Sequence, residues 1–147
     1  MIMISACLLG KKCRYNGEHN LNEGLVQQLQ NEKLEYINLC PELLGGMSVP
    51  RIPCEIVGGT GKEVLAGTAK VMNADGEDVT EAFMKGAAEV LRRCREKQVT
   101  KAYLKSKSPS CGYGKTYDGS FEGTVHLGNG VLAELLSQKG IEVIAVG

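Results

Sequence analysis

Three of the six cysteines in this 147-residue chain stand where chemistry is done. Cys7 follows the apolar run Ile2 to Ala6, Cys40 follows the run Leu34 to Leu39, and Cys111 lies in the loop after Val99 to Leu104. If each run is a strand, the three thiols lie beyond the carboxyl ends of three strands, the edge at which open α/β sheets bind ligands. A single cysteine beside a tight turn is most simply a small buried hydrophobe. Three at one sheet edge point to a convergent thiolate site.

The glycines support that reading. Of 19, six fall between Gly45 and Gly67 and six between Gly112 and Gly130, next to Cys40 and Cys111. Glycine-rich loops let the backbone approach a bulky group and aim N–H donors at sulfur. Cys13, in a C-x5-C spacing with Cys7, reads as a fourth ligand, a redox partner or a packed thiol. Cys54 follows Pro53 in a breaker-rich stretch, and Cys94 falls on the apolar face of a helix, where core packing is the default. Paired zinc knuckles and zinc-deaminase spacing are absent. The two histidines, His19 and His126, read as surface or loop residues. Three thiolates on a four-iron cluster would leave one iron open to substrate, since such clusters normally take four cysteines.

Polar candidates beside the thiols are Glu42, Arg51, Ser106, Ser108, Ser110 and Asp118. Glu42, two residues after Cys40, suits a general acid or base, or a loop cap. Ser108 and Ser110 flank Pro109 and suit either substrate orientation or a turn. Arg51, between Pro50 and Pro53, suits an anion or a loop carbonyl. Asp118-Gly119 reads as a turn. The string Gly58-Gly59-Thr60-Gly61-Lys62-Glu63 only mimics a phosphate loop, because Ile56 and Glu63 break the pattern. No nucleophile elbow, cysteine phosphatase loop or dinucleotide fingerprint is present.

The elements that must position these residues follow from periodicity. Ile2 to Ala6 predicts a strand, residues 21–32 an amphipathic helix, and Leu34 to Leu39 a second strand. Residues 40–61 are rich in breakers, and Val64 to Val71 is expected as a strand of a small hairpin or flap. Asp78 and Glu81 resemble a capping box opening a helix to about Lys97. Val99 to Leu104 predicts a strand and residues 105–130 a long glycine-rich loop. A helix capped by Asn129 follows to about Gln138, with Gly140 at its C′ position and a last strand over Ile141 to Val146. This alternation implies one domain over residues 1–147. The expected fold is a three-layer α/β/α, Rossmann-like architecture with a mostly parallel sheet and a small hairpin insertion.

Composition sets the outer bounds. Lys plus Arg equals Asp plus Glu at 17 each, so a basic grip on nucleic acid or an anionic membrane is not expected. No apolar run approaches the roughly 18 residues of a membrane span, and the first residues lack a signal pattern. A cytoplasmic, reducing location is expected, in which exposed thiols act as ligands or nucleophiles.

The motifs Ile4-Ser-Ala-Cys-Leu-Leu-Gly10, Cys13-Arg-Tyr-Asn-Gly17, Cys40-Pro-Glu, Gly45-Gly-Met-Ser-Val-Pro-Arg-Ile-Pro53, Asp78-Val-Thr80, Lys105-Ser-Lys-Ser-Pro-Ser-Cys-Gly112 and Tyr117-Asp-Gly119 together resemble the DUF523 family, over essentially the whole chain. That family includes thiouracil desulfidases. The resemblance implies a [4Fe-4S] cluster held by Cys7, Cys40 and Cys111, with Glu42 and Ser108 as catalytic residues. It implies a small thiolated nucleobase as substrate: a thiopyrimidine such as 2-thiouracil would bind the open iron through sulfur and give uracil and sulfide without redox change. The alternative is a non-catalytic metal or iron–sulfur protein, a sulfur carrier or sensor. A partner role in RNA modification is the weakest reading, given the zero net charge.

Overall fold

The structure is a computed structural model and describes residues 1–147. Its strands are β1 (Ile2–Ser5), β2 (Tyr36–Leu39), β3 (Cys54–Val57), β4 (Lys70–Asn73), β5 (Lys101–Lys105), β6 (Lys115–Tyr117), β7 (Val125–Leu127) and β8 (Glu142–Val146). Its helices are α1 (Glu23–Asn31), α2 (Pro41–Leu44), α3 (Gly61–Ala66), α4 (Thr80–Glu96) and α5 (Val131–Gln138), with a 3-10 turn at Ala6–Leu9.

Strands β2, β1, β5 and β8 pair in that order, all parallel, as the β/α alternation predicts. Side chains alternate between the two faces of the sheet. Met3, Ala102, Leu104 and Val143 pack with Phe83, Ala87, Val90 and Leu91 of α4 and Val131, Leu132 and Leu136 of α5. Ile2, Ile4 and Tyr103 join Leu25 and Leu29 of α1 in a second cluster. Helices therefore cover both faces and the architecture is the expected three-layer α/β/α. Val90 and Leu132 are wholly buried, and burying a side chain of this size contributes about 1.5–3 kcal/mol. No helix is long and apolar enough to cross a membrane.

The structure corrects several local expectations. Val64 to Val71 is not one strand: its first part closes α3 and its last part opens β4. The reason is at Glu63, whose Oε1 accepts the Thr60 N–H at 2.9 Å and satisfies a free donor at the start of α3. Cys54 begins β3, which pairs antiparallel with β4. Residues 105–130 are not all loop, because β6 and β7 form a second hairpin. The expected Asp78–Glu81 box does not form. Val79 is the N-cap of α4, and Asp78 Oδ1 accepts the Thr80 N–H at 2.9 Å. Gly130, not Asn129, caps α5, and Asn129 instead accepts the Gly114 N–H at 2.8 Å. Gly140, just past Lys139, takes a φ of 82°, as a C′ glycine should.

One helix contact bears on the site. A Cβ on Gly86 of α4 would strike the Pro41 carbonyl, and one on Gly45 would strike the Ala82 carbonyl. Two missing side chains thus let α2 lie directly against α4.

Candidate functional site

Each of the three cysteines is set by the end of a strand. β1 ends at Ser5, and the 3-10 turn that follows carries Cys7 and closes at Gly10, whose φ of 94° suits glycine. β2 ends at Leu39, and Cys40 is the N-cap of α2, with Pro41 at the first helical position and Glu42 in the first turn. Beyond β5, the Gly112 N–H donates to the Ser108 carbonyl at 2.9 Å and shapes the turn that holds Cys111.

All three cysteines are buried, and all are free thiols. They line one cavity of about 470 Å³ at the carboxyl edge of the sheet, a volume within the usual range for ligand sites. Glu42, Ser106, Ser108, Cys13 and Cys54 line it too. Cys94 does not. It lies fully buried in the core between α4 and its neighbours, and burial pushes its thiol up to about 11.

Hydrogen bonds hold the sulfurs. Ser5 Oγ donates to Cys111 Sγ at 3.3 Å and accepts the Lys105 N–H at 3.0 Å. Asn20 Nδ2 donates to Cys7 Sγ at 3.5 Å, and Cys40 Sγ lies 3.5 Å from Glu42 Oε2. Ser110 Oγ donates to Glu42 Oε1 and stands 3.1 Å from Ser108 Oγ. Ser108 Oγ also accepts the Cys111 N–H at 2.7 Å and the Ser110 N–H at 3.2 Å. Ser108, Ser110 and Glu42 thus form a connected chain from a cavity-lining hydroxyl to a buried carboxyl. Ser110 itself is the buried middle of that chain rather than a lining residue.

Electrostatics separate the thiols. The neighbouring Cys13 thiol holds Cys7 down, from the ordinary 9.0 to about 7, against the opposing effect of burial, with Asn20 assisting. Cys13 is pushed up by Cys40 and Cys7 beside it. Burial, then the charge of Glu42, pushes Cys111 up, while Ser5 opposes the shift. Burial also lowers Lys105, against the pull of Cys7 and Cys111. A buried thiol kept protonated, as Cys111 is, releases its proton when a cationic group takes it as a ligand. The donor set therefore fits a cationic metal centre. No three His, Cys, Asp or Glu side chains are grouped as ligands to a single ion.

The other candidates divide. Arg51 lines the cavity, but its Nη1 is given to the carbonyls of Cys13 at 3.2 Å and Ser48 at 3.4 Å. Of the two readings it is the loop carbonyl that the structure shows. Asp118 lies outside the cavity and accepts the Ser120 N–H at 2.9 Å, as a turn residue does. His19 Nδ1 accepts the Leu21 N–H at 3.0 Å in a loop, and His126 sits in β7. Neither lines the cavity. Sequence reasoning missed Ser5 and Asn20 as donors to sulfur, and Glu55 as a buried cavity carboxyl. The hydroxyl of Ser5 in an otherwise apolar terminal strand was the one available signal.

Known proteins resemble this chain along almost its whole length. A family model described as 2-thiouracil desulfurase matches residues 2–146. The chain is 51% identical over 145 residues to the uncharacterized protein YbbK of Bacillus subtilis (strain 168), covering 99% of this chain and 95% of that protein. It is also similar to a solved structure described as the [4Fe-4S]-dependent thiouracil desulfidase TudS (DUF523Vcz). There the TM-score is 0.84 at 36% identity, covering 98% of this chain and 89% of that one.

Proposed function

The chain belongs to the 2-thiouracil desulfurase family, and from that premise we propose that it is a [4Fe-4S]-dependent desulfidase. Its substrate is a thiolated pyrimidine such as 2-thiouracil, converted with water to uracil and hydrogen sulfide. The observation that carries this reading is the meeting of three buried thiols from three strand ends in one cavity with a carboxyl–hydroxyl chain.

Cys7, Cys40 and Cys111 are the residues that would hold the cluster. When bound, the cluster supplies a Lewis-acidic iron for the thiocarbonyl sulfur. Glu42 is positioned to take a proton from the attacking water and return it to the departing sulfur. Ser110 holds one Glu42 oxygen, leaving the other directed toward Cys40 and the cavity. Ser108 lines the cavity, where its hydroxyl orients substrate or water, and fixes the Cys111 backbone. Replacing a C=S bond by C=O with loss of hydrogen sulfide changes no oxidation state, so no external electron donor is needed.

The test is anaerobic reconstitution, followed by iron and labile-sulfide analysis and by the decay of 2-thiouracil absorbance with sulfide release. The expected result is cluster-dependent turnover. Stoichiometric zinc without labile sulfide would overturn the cluster. A loaded cluster with no turnover of any thiopyrimidine would favour a sulfur carrier or sensor.

A further inference from the structure

Glu55 is a buried carboxyl that the proposed chemistry does not use. It lies on β3, 9% exposed, and lines the same cavity as the cysteines. Its Oε1 accepts two backbone N–H groups from the turn between β6 and β7: Gly119 at 3.0 Å and Phe121 at 3.2 Å. The two residues that flank this turn, Tyr117 and Gly123, also line the cavity. The turn over residues 118–122 is therefore joined at both ends to cavity wall and tied to β3 through one carboxyl group.

The turn needs such a tie. Phe121 has a φ of 60°, a left-handed conformation that costs a bulky residue free energy and persists only where the surroundings hold it. Gly119 has a φ of 92°, and a Cβ there would meet the Ile56 carbonyl at 2.6 Å. The turn is thus pressed onto β3 at Gly119 and bonded to it at Glu55.

We propose that Glu55 is a positioning residue that latches the turn between β6 and β7, and so holds Tyr117 and Gly123 in place as a wall of the substrate cavity that limits the size of substrate admitted. The proposal rests on the desulfidase reading for its substrate class. A cavity of about 470 Å³ must take both prosthetic group and substrate. How far the wall is held in thus decides how much beyond a pyrimidine ring will fit. Bare thiopyrimidines are favoured with the latch closed, and bulkier N-substituted ones gain when it opens.

The test compares Glu55→Ala, which removes the acceptor, with Glu55→Gln, whose amide oxygen can still take both N–H groups. In Glu55→Ala, hydrogen exchange at the Gly119 and Phe121 amides should quicken roughly tenfold or more, with β1 and β5 unchanged. The kcat/KM ratio for 2-thiouridine over 2-thiouracil should rise several-fold, with the change falling on KM more than on kcat. Glu55→Gln should restore most of both. Gly119→Ala, which dislodges the turn from the other side, should reproduce the Glu55→Ala pattern and keeps the test alive if that variant folds poorly. Unchanged exchange at the turn, or faster exchange with no change in the substrate ratio, overturns the proposal. The exchange arm needs no substrate, so failure of the latch and failure of the desulfidase reading register separately.

Discussion

Ser5→Ala is the sharpest test of how the sheet holds the site. Ser5 Oγ is enclosed where β1 ends and makes two bonds: it accepts the Lys105 N–H at 3.0 Å and donates to Cys111 Sγ at 3.3 Å. Alanine keeps the strand and removes the hydroxyl. The Lys105 N–H then loses its acceptor, which costs about 1–3 kcal/mol for a buried amide. The lost bond to sulfur adds only a few tenths of a kcal/mol, because a thiol is a weak acceptor. Relief from burying the hydroxyl offsets part of this, leaving a net loss of about 2 kcal/mol. For a chain of this length that lowers Tm by about 4–8 °C. The measurement is thermal unfolding of the reduced, cluster-free protein by circular dichroism. The same variant takes from Cys111 one of the two hydroxyls, with Ser110, that oppose the effect of burial. Its thiol then moves further up, and reconstituted iron per chain should fall. A Tm within about 1 °C of the parent would refute the assigned Lys105 bond.

Other outcomes follow from the same geometry. Cys7→Ser should lose most reconstituted iron while its far-ultraviolet spectrum and Tm stay near those of the parent, since a core of this size does not depend on the group; full iron content would remove Cys7 from the ligand set. In cluster-free protein, iodoacetamide should alkylate Cys7 before Cys94, with a half-maximal rate near pH 7 rather than 9. Because the folded value is the lower one, the Cys7 thiolate stabilises the fold fully above pH 9 and that contribution fades as pH falls through about 7. Urea titrations across that window should show the loss. Gly86→Ala should destabilise by about 1–3 kcal/mol although alanine favours helix by about 1 kcal/mol, because its Cβ meets the Pro41 carbonyl. Turnover should fall with it, since α2 carries Glu42.

The sheet, the three helices α1, α4 and α5, and the meeting of Cys7, Cys40 and Cys111 were legible because apolar periodicity and strand ends determine them directly. The hairpins were harder. Val64 and Leu65 carry strand-like side chains, and the helical signal was Thr60 with Glu63 three residues on, within a string that more readily suggests a phosphate loop. β6 and β7 are three residues each, too short for a period to emerge. Asn129 is a strong cap by type, but the Gly114 amide claims its side chain from across the loop. Glu55 owes its place to Gly119 and Phe121, 64 and 66 residues on, and Asn20 reaches back 13 residues to Cys7, contacts that no local pattern encodes. Glu42 and Ser108 could be nominated from neighbouring cysteines, but Ser110 as the link between them needed tertiary contact.

The bond from Ser5 to Cys111 joins residues 106 apart in sequence. At about 5–20 residues per second, the ribosome delivers the second partner roughly 5–20 s after the first. Through that interval the strand that must dock beside β1 does not exist, and the early thiols have no wall behind them. Parallel pairing across so long a separation is also slow to form. A group held by all three thiols at this edge can therefore be loaded only once Cys111 has been made and β5 has docked beside β1. The nascent thiols depend on the reducing capacity of their surroundings until then.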